Sequence, residues 1–267
     1  MKNLKNCQRG TTLLVAICLL VISACSVPAD KSALAPSDLP KGKNWKLVWS
    51  DEFNGTELDR SIWGFHWLEK RKGGYWGEEA AYLDGKGNLV LKVYEKEGKY
   101  YSAGIETRGN IEHKYGYWEV RGKLPEEQGH WPAFWINTPR YGQKDDPAVG
   151  GAEIDVMEYP TRTDETEHNI HWGKVRPDYR LPSTRGKKSI IPGLAEGYHT
   201  FGVEWTTEEY IFYIDGKETW RINEGISHIE QYIIISEEVG DWGGDITKAK
   251  LPDYFIVDYV RVYDLDK

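Results

Sequence analysis

Hydrophobic and polar residues alternate with a period of two along much of the chain from Trp45 onward. Successive side chains of a β-strand point to opposite faces of a sheet, so this period predicts strands. The clearest predicted strands are rich in β-branched and aromatic residues, and they cover residues 89–93, 116–121, 210–214 and 255–263. The sequence shows no convincing long amphipathic helix and no internal repeat.

Turn residues separate the predicted strands. Glycines punctuate residues 84–88, and Asp215-Gly216 is a hairpin signal because glycine reaches positive φ without strain. Many short, closely spaced strands are typical of a two-sheet sandwich or a jelly roll. A chain of 267 residues can bury one large core. We therefore expect a single all-β domain.

The first 25 residues have the pattern of an export signal. Three basic residues precede an apolar run over residues 13–22, and small residues follow the run up to Cys25. The run is short for a membrane span. The tetrad Ile-Ser-Ala-Cys at 22–25 resembles the bacterial lipobox, in which cleavage leaves the cysteine as a lipid-bearing N-terminus. The alternative is an ordinary secretory signal with an incidental cysteine.

These features divide the chain into three parts. Residues 1–24 are the predicted lipoprotein signal peptide, and residues 25–43 are a predicted flexible tether with lipidated Cys25. Residues 44–267 are the predicted folded domain. The lipobox resemblance further implies that Ser26, in place of Asp, directs the protein to the outer membrane. We expect a lipid-anchored protein of the cell envelope, or otherwise a secreted one.

Composition narrows the range of partners. The formal net charge is −8 at pH 7, which argues against nucleic acid and anionic membranes as partners and mildly disfavours heavily sulfated glycans. Membrane contact is therefore expected only through the lipid anchor. No cysteine follows Cys25, so no disulfide is expected within the folded domain. Twelve tryptophans exceed the needs of a core and suit stacking on sugar rings.

Three acidic residues lie close together in the segment 151–160, which reads GAEIDVMEYP. Glu153 and Asp155 share one face of the predicted strand. Strict alternation would turn Glu158 into the core, where an unpaired carboxylate is costly. One extra residue, a β-bulge at Val156–Met157, would return Glu158 to the face of the other two acids, and bulges are frequent beside active sites.

Three acids on one side of a strand repel one another and raise the pKa of at least one of them. A glycosidase needs this difference, because one protonated acid supplies the leaving oxygen and one ionised carboxylate attacks the anomeric carbon. Retaining enzymes hold the two groups about 5–5.5 Å apart. A calcium site and a solvated charged strand are the alternatives, since carboxylates also bind hard cations.

The string Glu-Ile-Asp-Val-Met-Glu resembles the bulged E-x-D-x-x-E signature of glycoside hydrolase family 16. The resemblance spans nearly all of residues 45–267. It is carried further by WSDEFNG at 49–55, KYGYWEVR at 114–121, GHWPAFW at 129–135 and VDYVRVY at 257–263. It implies a curved two-sheet jelly roll with a concave substrate cleft, hydrolysis that retains anomeric configuration, no cofactor for catalysis, and a monomer.

Residue by residue, the resemblance implies that Glu153 is the nucleophile, Asp155 its helper and Glu158 the acid/base. It also places Trp131 and Trp135 in the cleft as sugar-stacking residues. The two tryptophans are four residues apart and therefore share one face of a strand. Core packing is the alternative role for both.

The histidines near the acid cluster have different expected roles. His168 and His171 are three apart on a strand and point to opposite faces, so they are not expected to bind one metal. The resemblance places His171, followed by Trp172, at the cleft, where the histidine would hydrogen-bond the substrate or Glu158. His168 is expected at the surface.

Four further acids have weaker assignments. The resemblance implies that Glu52 and Asp258 hold a structural calcium on the convex side, and buried acids with hydrogen-bonded partners are the alternative. Glu237 and Glu238, near Trp242, are expected either at the cleft rim or in a solvated loop.

The substrate class remains open at this stage. We expect a β-linked polysaccharide cut internally, with laminarin-type β-1,3-glucan slightly favoured by the 129–135 segment. Residues 234–242 depart from the usual laminarinase sequence, so an endo-β-galactosidase acting on agar-like or host galactans is the close alternative. A non-catalytic glycan-binding jelly roll and a transglycosylase are the other two possibilities.

Overall fold

The computed structural model describes residues 35–176 and 183–266. The predicted signal peptide, Cys25 and the first ten residues of the predicted tether lie outside the described residues. Among the described residues, no helix is long and apolar enough to cross a membrane.

Strands dominate the described residues, as the alternating pattern predicts. Their bounds are β1 Trp45–Asp51, β2 Gly64–Phe65, β3 Lys70–Arg71, β4 Gly74–Trp76, β5 Ala81–Leu83, β6 Leu89–Lys96, β7 Lys99–Ser102, β8 Gly104–Glu106, β9 Glu112–His113, β10 Gly116–Lys123, β11 His130–Asn137, β12 Ala152–Glu158, β13 Glu165–Trp172, β14 Ser183–Ile190, β15 His199–Trp205, β16 Tyr210–Ile214, β17 Lys217–Ile222, β18 Gln231–Val239 and β19 Asp253–Leu265. The helical elements are short: α1 at Pro147–Gly150 and 3₁₀ turns at Glu78–Ala80, Asp241–Gly243 and Ile246–Lys248.

The strands form two sheets. The larger has the order β17-β16-β15-β10-β19-β6-β7-β4-β3, with β1 beside β19 and β5 beside β6. The smaller has the order β14-β13-β12-β11-β18-β8-β2, with β9 beside β18. The expected hairpin is present, because Ile214 pairs with Lys217 across Asp215 and Gly216, which both have positive φ. The all-β two-sheet prediction is therefore confirmed.

One hydrophobic core lies between the two sheets. Alternate residues of β11 and β12, such as Phe134 and Ile154, meet alternate residues of β10 and β15, such as Trp118 and Val203, and all four are at most 1% exposed. Alternation leaves the other face of each sheet outside this core. The outer face of the smaller sheet carries the acid cluster, and the outer face of the larger sheet lies on the opposite side of the molecule.

Residues 35–43 are packed on the outer face of the larger sheet. Asp38 N–H donates to the carboxylate of Glu119 at 3.1 Å, and Trp45 Nε1 donates to the carbonyl of Pro40 at 3.2 Å. This differs from the predicted flexible tether. The physical reason is that the outer face holds buried polar side chains whose hydrogen bonds this segment completes. Residues 35–43 therefore belong to the folded part of the described chain, although the predicted boundary is at residue 44.

Candidate active site

The strand that carries the three acids contains the predicted bulge. Asp155 lies opposite Asn169 of β13, whereas Glu158 lies opposite Glu167, so three residues of β12 advance against two of its neighbour. The register with β11 shifts at the same place. The extra residue in β12 confirms the bulge inferred from the cost of burying Glu158.

The bulge changes which side chains face the core. Val156 and Met157 are consecutive, yet both are fully buried in the core between the sheets. Two successive side chains of β12 therefore point to the inner face of the smaller sheet. As a result Glu153, Asp155 and Glu158 all line one cavity on the outer face of the smaller sheet. Asp155 is buried, while Glu153 and Glu158 are partly exposed to the cavity, so the three acids are gathered at one site and not dispersed along a solvated strand.

Two side chains of β13 donate hydrogen bonds to backbone carbonyl groups in and beside the bulge of β12. His168 Nδ1 donates to the carbonyl of Val156 at 2.7 Å, and its Nε2 lies 2.9 Å from the Thr219 hydroxyl. Thr166 Oγ1 donates to the carbonyl of Glu158 at 2.8 Å. Both His168 and Thr166 are fully buried. The predicted surface position of His168 is therefore wrong, because its strand parity directs it inward against the bulge.

Asp155 occupies the centre of the acid cluster. Glu153, Asp155 and His171 each place one side-chain oxygen or nitrogen within 4.8 Å of the others. His171 Nε2 lies 3.2 Å from Asp155 Oδ2, and its Nδ1 lies 3.0 Å from the Thr184 hydroxyl. His171 thus faces the acids, as expected, but its acidic partner is Asp155 and not Glu158.

Each glutamate of the cluster accepts one hydrogen bond from an asparagine amide. Asn137 Nδ2 donates to Glu153 Oε2 at 2.9 Å, and Asn169 Nδ2 donates to Glu158 Oε2 at 2.9 Å. Neither asparagine was predicted from the sequence as a site residue. A signal was available for Asn169, which is two residues before His171 and therefore shares its strand face.

Burial raises the pKa values of all three acids. For Glu158 burial raises the pKa to about 8; the charge of Asp155 acts in the same direction, while the Asn169 amide opposes it. Burial is also the largest cause that raises the pKa values of Glu153 and Asp155, and Asp155 raises that of Glu153 further. The cluster therefore retains protons at neutral pH, which is the condition for a carboxylic acid to act as a proton donor.

Two cations from the β3–β4 turn face the acids across the cavity. Arg71 forms an ion pair with Glu238, and Lys72 Nζ lies 4.4 Å from the centre of the Trp131 ring. Both line the cavity together with the three acids. Opposite charges favour the ionised form of a carboxyl group, so these cations partly offset the effect of burial. Glu238 is thus a cleft residue on a strand and does not belong to a solvated loop.

Aromatic side chains line the cleft on the strand beside the acids. Trp131 and Trp135 both face the cavity, which is where the sequence analysis expects them. Trp135 Nε1 donates to the Ser236 hydroxyl at 3.0 Å, which fixes the orientation of its ring. Trp242 meets Trp131 edge to face with ring centres 5.1 Å apart. Rings fixed in this way offer apolar faces to a sugar.

The cleft continues past the acids in both directions. On the Glu153 side a second cavity is lined by Trp67, Asn137 and Tyr141, among others, and Trp67 is 58% exposed. On the Trp131 side a groove runs along Thr161, Thr163 and Trp242. The acids therefore lie in the middle of an extended cleft that has room for sugars on both sides.

Trp172 does not reach this cleft. It follows His171 directly on β13, so its side chain points to the opposite face and packs in the core between the sheets. Its ring lies against Gly225, where an added Cβ would stand only 2.6 Å from the indole. The expectation that Trp172 contacts substrate is corrected accordingly.

The two acids expected to hold calcium are paired with arginines. Glu52 accepts two hydrogen bonds from Arg261, both 2.8 Å long, and Asp258 Oδ2 accepts one from Arg121 at 2.7 Å. A guanidinium group at each carboxylate occupies the position that a cation would need. The arrangement does not fit a calcium site shared by these residues. Glu237 is likewise internal, with its carboxylate 2.6 Å from His130 Nδ1.

Comparison with known proteins agrees with this geometry. The model of glycosyl hydrolases family 16 matches residues 69–260. A β-glucanase from Rhodothermus marinus is 31% identical over 97% of this chain and 96% of the relative. A keratan-sulfate endo-1,4-β-galactosidase from Sphingobacterium multivorum is 30% identical over 83% of this chain, which spans 56% of that relative. The catalytic domain of an endo-1,3-β-glucanase (laminarinase) from Thermotoga petrophila matches with a TM-score of 0.69 at 27% identity, covering 84% of this chain and 100% of the other.

A two-sheet jelly roll with a buried acid cluster in an open cleft defines a carbohydrate-cleaving enzyme, a glycoside hydrolase. The chain belongs to glycosyl hydrolase family 16.

Proposed function

We propose that the protein is a retaining endo-β-glycosidase in which Glu153 is the nucleophile and Glu158 is the general acid/base. The observation that carries this proposal is the bulge in β12, which brings both glutamates to one cavity. Retention requires two carboxyl groups close enough to act on the same anomeric carbon, and a shared strand face is one way to bring them together. The buried surroundings supply the raised pKa that a proton donor needs.

In the first step the ionised carboxylate of Glu153 attacks the anomeric carbon, and the bond from that carbon to the leaving oxygen breaks. Glu158 gives its proton to the leaving oxygen, so the departing sugar carries a hydroxyl group. The amide of Asn137 supports Glu153 as the ionised member of the cluster. Asp155, at the centre of the cluster, holds a proton beside the nucleophile.

In the second step Glu158, now ionised, accepts a proton from water, and the resulting oxygen attacks the anomeric carbon. The ester bond to Glu153 breaks, which releases the sugar with its original configuration and restores the proton on Glu158. Asn169 holds Glu158 in one position through both steps. The sequence of steps balances with water as its only co-reactant and needs no cofactor.

Internal cleavage is supported by the shape of the cleft. Sugars can occupy the Trp67 side and the Trp242 side of the acids at once, because the cleft continues in both directions. A site that binds only chain ends would need one side closed. We therefore propose endo-acting cleavage of a β-linked polysaccharide.

For the substrate we propose a laminarin-type β-1,3-glucan first. The β-glucanase of R. marinus and the laminarinase domain of T. petrophila match most of this chain. A β-galactan is the second candidate, supported by the similarity to the keratan-sulfate endo-1,4-β-galactosidase of S. multivorum. Glu238, which forms an ion pair with Arg71 in the cleft, belongs to the 234–242 segment on which the galactan alternative was based.

A panel of polysaccharides tests the proposed function. The wild-type protein is incubated with laminarin, lichenan, agarose, porphyran, carrageenan and mucin glycans, and the products are sized over time. We expect laminarin to yield a range of intermediate oligosaccharides early, as internal cleavage requires, and the Glu153→Gln variant to yield none. Binding of a glycan without shorter products would favour the glycan-binding alternative, and longer products would favour transglycosylation.

We also propose how the protein is held in the cell. Residues 1–24 would be removed as a lipoprotein signal peptide, and Cys25 would carry the lipid that anchors a monomer to the outer membrane. The lipobox resemblance of residues 22–25 supports this assignment. Metabolic labelling with a fatty acid, compared between wild type and Cys25→Ser, would test it.

A further inference from the structure

Residues 35–43, which lead into the folded domain, follow a fixed path on the outer face of the larger sheet. Two of their carbonyl groups accept hydrogen bonds from side chains, Ala35 from Arg261 at 2.9 Å and Pro40 from Trp45 at 3.2 Å, while the carbonyl oxygens of Pro36 and Asp38 lie 3.1 Å and 3.3 Å from the hydroxyl groups of Tyr259 and Tyr117. We call residues 35–43 with these partners the clasp. An irregular segment with so many backbone contacts has a fixed path.

The clasp covers a buried acidic side chain, Glu119, and completes its hydrogen bonds. The carboxylate of Glu119 is fully buried at the centre of this face, and it accepts hydrogen bonds from Tyr117, from Tyr259 and from the N–H of Asp38. Without the segment, Glu119 would lose a donor and the cover that buries it. Thr200 Oγ1 also donates to Asp38 Oδ2 at 2.8 Å. If residues 35–43 left this face, polar groups such as those of Glu119 and Thr200 would lose hydrogen-bond partners.

The clasp and the catalytic cleft are on opposite sides of the molecule. Leu39 packs with Tyr117 and Tyr213 on the outer face of the larger sheet, whereas the acids face outward from the smaller sheet. The core between the sheets separates the two faces, and packed sheets lie about 10 Å apart. The chain therefore leaves the domain on the side turned away from the cleft.

The length of the remaining tether limits where the domain can point. Nine residues lie between Cys25 and Ala35. A chain of about ten residue steps spans about 35 Å when fully extended and about 17 Å on average when flexible. To turn the cleft toward the membrane, the tether would have to pass around the edge of both sheets. Such a path would use part of the limited reach of the tether.

The surface beside the clasp is compatible with a nearby membrane. Leu47 lies directly opposite Tyr263, and Leu265 follows two residues later on the same strand face. The two leucines are 46% and 48% exposed, and Lys41 is exposed in the clasp itself. Apolar side chains and lysines suit the interface of a bilayer.

We propose that the clasp orients the enzyme on the membrane, with the outer face of the larger sheet toward the lipid surface and the cleft opening away from it. This inference rests on the proposed lipid anchor at Cys25. The orientation gives long polysaccharides free access to the cleft from outside, while the products are released away from the membrane.

The test uses the full-length lipidated protein in phosphatidylethanolamine–phosphatidylglycerol vesicles that contain a lipid with a quencher on its headgroup. Acylation consumes the thiol of Cys25 and no other cysteine follows it, so one introduced cysteine can be labelled selectively. A fluorophore is placed at Lys41→Cys beside the clasp or, as the matched site, at Thr163→Cys beside the cleft. We expect quenching at residue 41 to be at least twofold stronger than at residue 163.

A second variant lengthens the tether between the anchor at Cys25 and the clasp. An insertion of 20 Gly/Ser residues before Ala35 leaves the folded domain unchanged and should reduce the difference between the two labels to near zero. Equal quenching in the protein with its natural tether, or stronger quenching at residue 163, would overturn the orientation. Failure of the protein to float with vesicles would overturn the anchor and the orientation together, while glycosidase activity on soluble substrate would remain an independent result.

A separate observation concerns the bulge itself. We infer that His168 is a positioning residue for Glu158, because its Nδ1 donates to the carbonyl of Val156, which lies within the bulge where the register with β13 shifts. Burial lowers the pKa of His168 to about 4, so the ring is neutral and its single N–H is committed to this bond. Loss of the bond would allow β12 to return toward regular pairing, which would turn Glu158 away from the cleft.

Two near-isosteric variants test this role. Asparagine places an amide donor where Nδ1 lies, whereas glutamine extends it toward Nε2. We expect His168→Asn to keep kcat within about threefold of wild type, and His168→Gln to lose about tenfold in kcat with KM little changed, which corresponds to one weakened hydrogen bond. Equal losses in the two variants at equal Tm would overturn the inference. Thr219→Val removes the contact at Nε2 and the hydrogen bond of the Thr219 hydroxyl to the Phe212 carbonyl, but leaves the Nδ1 bond in place. It should retain kcat, and a loss comparable to that of His168→Gln would also count against the inference.

Discussion

Replacement of Glu153 by glutamine is expected to lower kcat by about 10⁵-fold, as is typical when a covalent nucleophile is removed. Glutamine has nearly the same volume and can remain beside the Asn137 amide, but it cannot form the ester with the anomeric carbon. The measurement is kcat on the preferred polysaccharide, with Tm as a check that the fold is intact. Residual activity above about 1% would show that another group attacks the sugar.

A smaller side chain at the same position provides the matched control. Glu153→Gly leaves space beside the anomeric carbon, and added azide should then restore turnover of an activated aryl glycoside. Because azide attacks from the side that Glu153 occupied, the product should be the α-glycosyl azide. Rescue of Glu153→Gly but not of Glu158→Gly toward this α product would distinguish the two roles.

Replacement of Glu158 by glutamine is expected to lower kcat by about 10²–10⁴-fold on polysaccharide, the range associated with loss of a general acid/base. The loss should be much smaller for formation of the glycosyl-enzyme from a dinitrophenyl glycoside, whose leaving group needs no proton. Comparison of the two substrates by pre-steady-state kinetics measures this difference. Equal losses on both would contradict the assignment.

The pH dependence of the same variant follows from the raised pKa of Glu158. The acid is protonated below about pH 8, so wild-type activity should fall as the pH rises through about 8, and this limb should be absent in the glutamine variant. Burial favours the protonated form in the folded state, which contributes stability below the unfolded pKa that is lost as the pH rises through the folded one. The variant should therefore be more stable than wild type at pH 9, by as much as about 5 kcal/mol, and no more stable at pH 4.

The acid cluster could be predicted from sequence because two simple rules conflict at Glu158. Strand alternation places this residue in the core, and the cost of an unpaired buried carboxylate forbids that position. A single inserted residue resolves the conflict, and the structure contains it between Asp155 and Glu158. The two-sheet fold was predictable for a similar reason, since a period of two extends over most of the chain.

Other features could not be predicted because they depend on partners distant in sequence. From the sequence, His168 is expected at the surface. In the structure it points into the core, where it donates a hydrogen bond to a carbonyl in the bulge of the neighbouring strand. From the sequence, Glu52 is expected to bind calcium. In the structure the pairing of β1 with β19 brings Arg261 beside it. Residues 35–43 have the composition of a tether, and they are held in place by partners distant in sequence, through hydrogen bonds to the outer face of the larger sheet and through packing of Leu39 on it.

The stereochemistry of the first product tests the central claim most directly. The wild-type enzyme is mixed with its polysaccharide in an NMR tube, and the anomeric proton of the new reducing end is followed before mutarotation equilibrates it. Attack by Glu153 followed by attack by water predicts that the β-anomer forms first and the α-anomer appears later. Initial formation of the α-anomer would show a single displacement by water and would contradict the account.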